Sequence, residues 1–380
     1  MLKEKVYFPN LDGLRFIAAT MVFLQHGFSR FAVATGIQTD WITRVVKTFG
    51  SGGLGVSVFF VLSGFLITYL LLEEKKITGK ISLKNFYIRR VLRIWPLYFF
   101  VVVFGFIIYP GLKHLIGMET HLCSRAAYYW TFLSNFDEIY IHHNCYGSGA
   151  QMQSITWSVS IEEQFYLIWP LLFIVVNPRF YKYIFISIIT LSIAFRLFNY
   201  DDDPVLYFHT FSVLVDLACG GLAAWAMLNT TRLRNWLESL TVVKSSLIYI
   251  IGFAGLMYWD KFEVNPFCHA LVRIYFASYF VFIILHQNYA PDSFLKLSHN
   301  RIFTSMGKYT YGMYLLHPLA ILLMDIILRL AKVQRDTLFS EGLFGISAFI
   351  ITIIISLSSY HLFEKRFLRL KSRFSIIRTD

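Results

Sequence analysis

Long apolar runs recur along almost the whole chain, at residues 101–109, 167–176, 184–198, 274–285 and 344–357. Several belong to stretches of the roughly 20 residues that a helix needs to cross a bilayer core. A soluble fold buries one or two such helices, not about ten. Composition agrees: 56% of residues are hydrophobic and 18% aromatic, with only 15% charged, against about a quarter charged in soluble domains. The first apolar stretch begins near Leu14, contains Arg15 and His26, and has no small-residue cleavage site. It therefore reads as a span rather than a signal peptide.

Spans are expected near residues 12–31, 53–72, 94–110, 157–176, 183–199, 208–228, 245–260, 269–286, 309–330 and 343–361. The fold class is an all-α, polytopic membrane helical bundle of about ten transmembrane helices. It forms a single membrane domain over residues 1–380, ending in a basic tail at 365–380.

The net charge of +12 and pI of about 9.4 would suggest nucleic acid in a soluble protein. Here they report orientation, and no nucleic-acid partner is expected. Alternating connections divide the 35 Lys and Arg residues into 24 on one side and 11 on the other. The richer side holds the segment 73–93, Arg301, Lys308, the tail and, counted with it, Arg15. That side is expected to be cytosolic, which puts both termini inside and requires an even number of spans. The segment 73–93 is the longest inner connection, and 111–156 the longest outer one. Cys123 and Cys145 share that outer connection, either bridged or as two free thiols; Cys219 and Cys268 read as ordinary span residues.

Ionisable groups inside spans are costly, so function is the default reading. The first span carries Asp12, Arg15 and His26. Arg15 and His26 are eleven residues apart, about three turns, which puts them on one face roughly 16 Å apart. The plainer alternative is an interfacial Asp12–Arg15 pair and a His26 that bonds a neighbouring helix. The fourth span opens on Trp157, with Ser158 and Glu162 one turn apart on a shared face. Helix capping explains one acid there, and Glu162, Glu163 and Gln164 together less well. In the ninth span Tyr314 and His317 share a face ahead of Pro318.

The third span starts with Arg89, Arg90 and Arg93. Forked guanidinium groups suit phosphates, and the same residues satisfy the positive-inside rule. Four glycines within residues 50–55 should not start a stable helix; a re-entrant or tightly packed entry is expected. Asp216 beside Gly220 and Gly221 reads as close helix packing. His142, His143 and Cys145 match no usual ligand spacing, so no metal is expected.

Residues 10–15, Asn-Leu-Asp-Gly-Leu-Arg, followed by His26, resemble the opening motif of the acyltransferase 3 family of membrane acyltransferases. Residues 55–65 (GVSVFFVLSGF), 89–98 (RRVLRIWPLY), 156–166 (TWSVSIEEQFY) and 311–318 (YGMYLLHP) resemble further family motifs in the same order. Arg366 stands where many members have Pro. With no room for a second, hydrolase-like domain, the chain resembles the stand-alone members, which modify lipopolysaccharide O-antigen, capsule or other surface glycans at the bacterial inner membrane.

The resemblance implies a cytosolic acyl-CoA donor, most often acetyl-CoA, with its phosphates held by Arg89, Arg90 and Arg93. The pantetheine arm would pass Arg15, fixed by Asp12. His26 would meet the thioester and act as general base on a sugar hydroxyl. Glu162 would orient that imidazole or bind the sugar. Trp157 and Ser158 would shape the acceptor site, with Tyr314 and His317 as further candidates. Direct transfer is expected, because no Ser stands in a nucleophile elbow. The rival reading is a transporter or flippase for a glycan or acylated lipid; the absence of repeated halves in the sequence weighs against it.

Overall fold

A computed structural model describes residues 7–29, 40–115, 117, 123–145, 152–262, 265–291, 296–335, 337–375 and 377. Ten principal helices follow in order: α1 (Pro9–Gly27), α2 (Gly52–Thr78), α3 (Leu83–Val103), α4 (Trp157–Val175), α5 (Tyr181–Phe198), α6 (Thr210–Asn229), α7 (Val242–Met257), α8 (Pro266–Tyr289), α9 (Thr310–Leu330) and α10 (Leu338–Ser359). There are no strands among the described residues.

Eight of these helices, with their extensions, are long and apolar enough to cross a membrane. A ninth span arises if α7 is joined to the short helix Thr231–Glu238, from which it is bent by 102°. The expected tenth, α1, is not among them: Asp12, Arg15 and His26 dilute its apolar face. It is central nonetheless, with Leu11, Ala18, Val22 and Phe23 almost completely buried. Residues 30 and 31 of that expected span lie outside the described residues. The outward faces of α4, α5, α7 and α10 carry exposed apolar side chains such as Leu167, Leu191, Ile251 and Ile354. So large an apolar belt is what lipid covers, and the protein is a multi-pass membrane protein.

The bundle is built on close approaches of backbone. A Cβ on Gly64 of α2 would run into the carbonyl of Leu217 of α6, and one on Gly220 of α6 into the carbonyl of Val61 of α2. Small residues let the two backbones touch. Nearby, the fully buried Asp216 accepts two hydrogen bonds from Arg273, at 2.5 and 3.1 Å, tying α6 to α8. Asp216 is thus a structural anchor as well as a packing neighbour.

Two expectations need correction. The glycine-rich segment does start a helix: α2 begins at Gly52 and runs unbroken to Thr78. Its tertiary setting supplies what glycine lacks. Ser51 accepts from the amide of Leu54, Gln25 accepts from the amide of Gly52, and Gly55 abuts the carbonyl of Ala18. The entry is therefore tightly packed, not re-entrant. The long inner connection at 73–93 is also mostly helix. α2 ends at Gly79, whose φ of +75° forms a left-handed cap, and α3 already starts at Leu83. Only a short turn separates them.

On the opposite side, the segment 111–156 contains the short helices Ala126–Trp130 and Ser134–Asn144. Cys123 and Cys145 are joined in a disulfide, and Arg125 donates to Asp137 from side chain and backbone.

Candidate active site

A cavity of about 790 Å³ opens between α1, α2, α3, α4 and α9. It runs along α2 from Leu70 to Val56, about four helical turns or roughly 20 Å. Among the described residues six cations line it: Arg15, Arg90, Arg93, Arg301, Lys308 and Lys371. Against them, among the same described residues, stand two carboxylates, Asp12 and Glu162. The walls are therefore net positive, which favours an anionic occupant.

Asp12 accepts from Arg15 at 2.7 Å and from the Tyr7 hydroxyl at 3.0 Å, so the expected pairing is present. Gly307 packs directly on Asp12, leaving no room for a side chain there. Arg90 lies over the rings of Phe86 and Tyr166, and its buried Nε has no hydrogen-bond partner among the described residues. Glu162 accepts from Ser63 at 2.6 Å and from the Tyr166 hydroxyl at 3.0 Å. It belongs to the cavity wall with Ser63 and Tyr166, so it does not orient the imidazole of His26. Ser158 and Glu162 face the cavity together, as their spacing requires.

The capping alternative for the start of α4 does not hold. Thr156 makes no cap; its hydroxyl donates to the carbonyl of Gln153, and Ser158 pairs with the Tyr314 hydroxyl at 2.6 Å. Glu163 turns away from the cavity and accepts from the indole of Trp95.

His317 is buried behind Tyr314. Its Nδ1 lies 2.8 Å from the carbonyl of Tyr314. A carbonyl only accepts, so Nδ1 carries the proton and Nε2 keeps its lone pair. That Nε2 is buried with no hydrogen-bond partner among the described residues. The rings of His26 and His317 are neighbours, with centroids 5.1 Å apart. His26 itself is exposed and does not line the cavity. On α1 the cavity lining ends at Arg15, about three turns before His26; on α9 it reaches Tyr314, whose ring centroid lies 6.3 Å from that of His317 one turn on.

Trp157 packs among Phe60, Tyr207 and Phe208 rather than in the cavity. Arg89 also lies outside it, donating to Glu74 at 3.1 Å and to the carbonyl of Phe374 at 2.8 Å. Sequence reasoning missed Ser63 and Tyr166 as site residues, although both stand inside quoted motifs. It counted Arg301, Lys308 and Lys371 for orientation alone.

A family model described as an acyltransferase domain, of the acyltransferase 3 type, matches residues 8–361. The chain is 28% identical over 335 residues to the peptidoglycan O-acetyltransferase OatA of Listeria monocytogenes, covering 83% of this chain and 49% of that protein. It is 30% identical over 333 residues to the O-acetyltransferase OatA of Staphylococcus aureus, covering 82% of this chain and 50% of that protein. The chain thus spans about half the length of these curated relatives. No solved structure matches it.

Proposed function

The chain belongs to the acyltransferase 3 family; from that premise we propose that it is an acyltransferase that moves an acetyl group from cytosolic acetyl-CoA to a hydroxyl of a cell-envelope glycan. The observation that carries this reading is the cationic cavity, which reaches Tyr314, one turn of α9 before His317, whose ring centroid lies 5.1 Å from that of His26. In this reading the basic side of the bundle faces the cytosol, both termini lie there, and the membrane is the bacterial cytoplasmic one. The relative from Listeria is named for peptidoglycan, which makes a wall or surface polysaccharide the first acceptor to test, with lipopolysaccharide O-antigen and capsule as the others.

The donor enters from the basic side. Arg90, Arg93, Arg301 and Lys308 hold its phosphates through charge-assisted hydrogen bonds. The pantetheine arm follows α2 past Arg15, Ser63 and Glu162 and brings the thioester toward Tyr314 and Ser158. The acceptor hydroxyl arrives from the opposite side at His26. Its oxygen attacks the thioester carbonyl carbon; the new C–O bond forms as the C–S bond breaks. The hydroxyl proton passes to the imidazole, and the thiolate leaves and is protonated as the thiol of CoA. His317 supplies the second imidazole in contact with His26, in a fixed tautomer.

The test has two arms. Purified protein in detergent should bind CoA and hydrolyse acetyl-CoA slowly, and deletion of the gene should remove O-acetyl proton signals from the surface glycans. A wild-type protein that neither binds CoA nor consumes acetyl-CoA sinks the reading, as does an unchanged O-acetyl spectrum in the deletion strain.

A further inference from the structure

The family match stops at residue 361, yet the cavity wall does not. The short helix Lys365–Lys371 follows α10 directly, and its Leu368 and Lys371 both line the cavity. They are three residues apart and so share one face of that helix. The segment is held down from both sides. Arg89 donates to the Phe374 carbonyl at 2.8 Å and to the Glu74 carboxylate at 3.1 Å. The Arg89 and Glu74 side chains are only 11% and 3% exposed, and Ile377 beyond the helix is buried as well. A basic tail kept in place only to satisfy membrane orientation needs no such seat. Exposed lysines on a loose tail serve that purpose equally.

We infer that the tail Lys365–Phe374 forms a wall of the donor cavity, with Lys371 contacting the phosphate groups of the thioester donor and Arg89 acting through the tail as its positioning residue. This rests on the donor reading above and extends it to residues outside the family match. It also gives Arg89 a different task from Arg90 and Arg93. Arg89 latches the wall, while the other two face the occupant.

The anionic group that Lys371 meets is a phosphate ester, from the donor or from a lipid headgroup, and the experiment separates the two. Steady-state hydrolysis is measured on the full chain in nanodiscs of zwitterionic lipid and again with anionic lipid. The donors are acetyl-CoA and S-acetyl-pantetheine, which lacks the phosphates. For Lys371→Met, KM for acetyl-CoA should rise about tenfold at unchanged kcat, with no change for S-acetyl-pantetheine and the same result in both lipids. Lys371→Arg should restore KM. Arg89→Ala should raise the same KM and expose the tail to limited proteolysis.

A Lys371→Met protein with unaltered KM for acetyl-CoA overturns the inference. So does an equal loss with both donors, or a loss confined to anionic lipid, which would make the tail a membrane anchor. A wild type that is inactive and does not bind CoA fails the donor reading itself, and is thereby distinguished from a failure of the tail alone.

Discussion

The rings of His26 and His317 lie 5.1 Å apart, one exposed on α1 and the other buried on α9. Residues from opposite ends of the sequence thus form one imidazole pair between the cavity and the far side of the bundle. If this pair is the base, either substitution to Ala should cut acetyl transfer by about 10²–10⁴-fold. Folding is followed in parallel by size-exclusion chromatography in detergent. A His26→Ala protein with full transfer activity removes the mechanism, and a fully active His317→Ala reduces His317 to packing.

Arg15 is held by Asp12 at the cavity wall. Lys at position 15 keeps the charge but loses the planar fork. Arg15→Lys is expected to lower kcat/KM for acetyl-CoA by about 10²-fold through mispositioning of the donor, and Asp12→Asn by less. Kinetics on purified variants decide it; an Arg15→Lys enzyme at wild-type kcat/KM would contradict the assignment.

At the α2–α6 crossing, Gly220→Val places carbon where the Val61 carbonyl already sits. Overpacking of this kind costs about 1–3 kcal/mol or more, so the variant should lose its monodisperse peak in detergent. Gly111→Ala is the control, since none of the described residues comes within 4 Å of a Cβ there. Equal thermal stability of both variants would refute the crossing.

The disulfide Cys123–Cys145 closes a loop with a sequence separation of 22. Replacing both cysteines by Ser should cost about 3 kcal/mol of local stability on the loop-entropy account. In the native protein a maleimide should reach those two thiols only after reduction. Labelling before reduction at Cys123 or Cys145 would show that the bridge does not form.

Glu138, in the segment outside the spans, accepts from Tyr129 at 2.8 Å and Ser154 at 2.5 Å. Burial pushes its carboxyl pKa up, outweighing those hydrogen bonds. The folded state therefore binds a proton that the unfolded state has already released. Its stabilising contribution is present below the ordinary carboxylate pKa and declines as pH rises through the raised value. Glu138→Gln should flatten this decline in melting curves taken from mildly acidic to neutral pH. An identical pH dependence in the two proteins would exclude Glu138 as the source.

Eight or nine of the ten expected spans, and their order, were legible in the sequence, because hydropathy is a property of each segment alone. The motif spacing likewise put Asp12 beside Arg15 and Ser158 beside Glu162, since one helical turn fixes such neighbours whatever surrounds them. Contacts between helices were not legible. Glu162 finds Ser63, Arg89 finds Glu74 and Phe374, and His26 finds His317 only once the helices pack. Helix periodicity sets which face a residue occupies but carries no information about which partner helix covers that face. The glycines at 52–55 make the same point: their poor helix propensity is a local fact, overridden by Gln25 and Ala18 of a neighbouring helix.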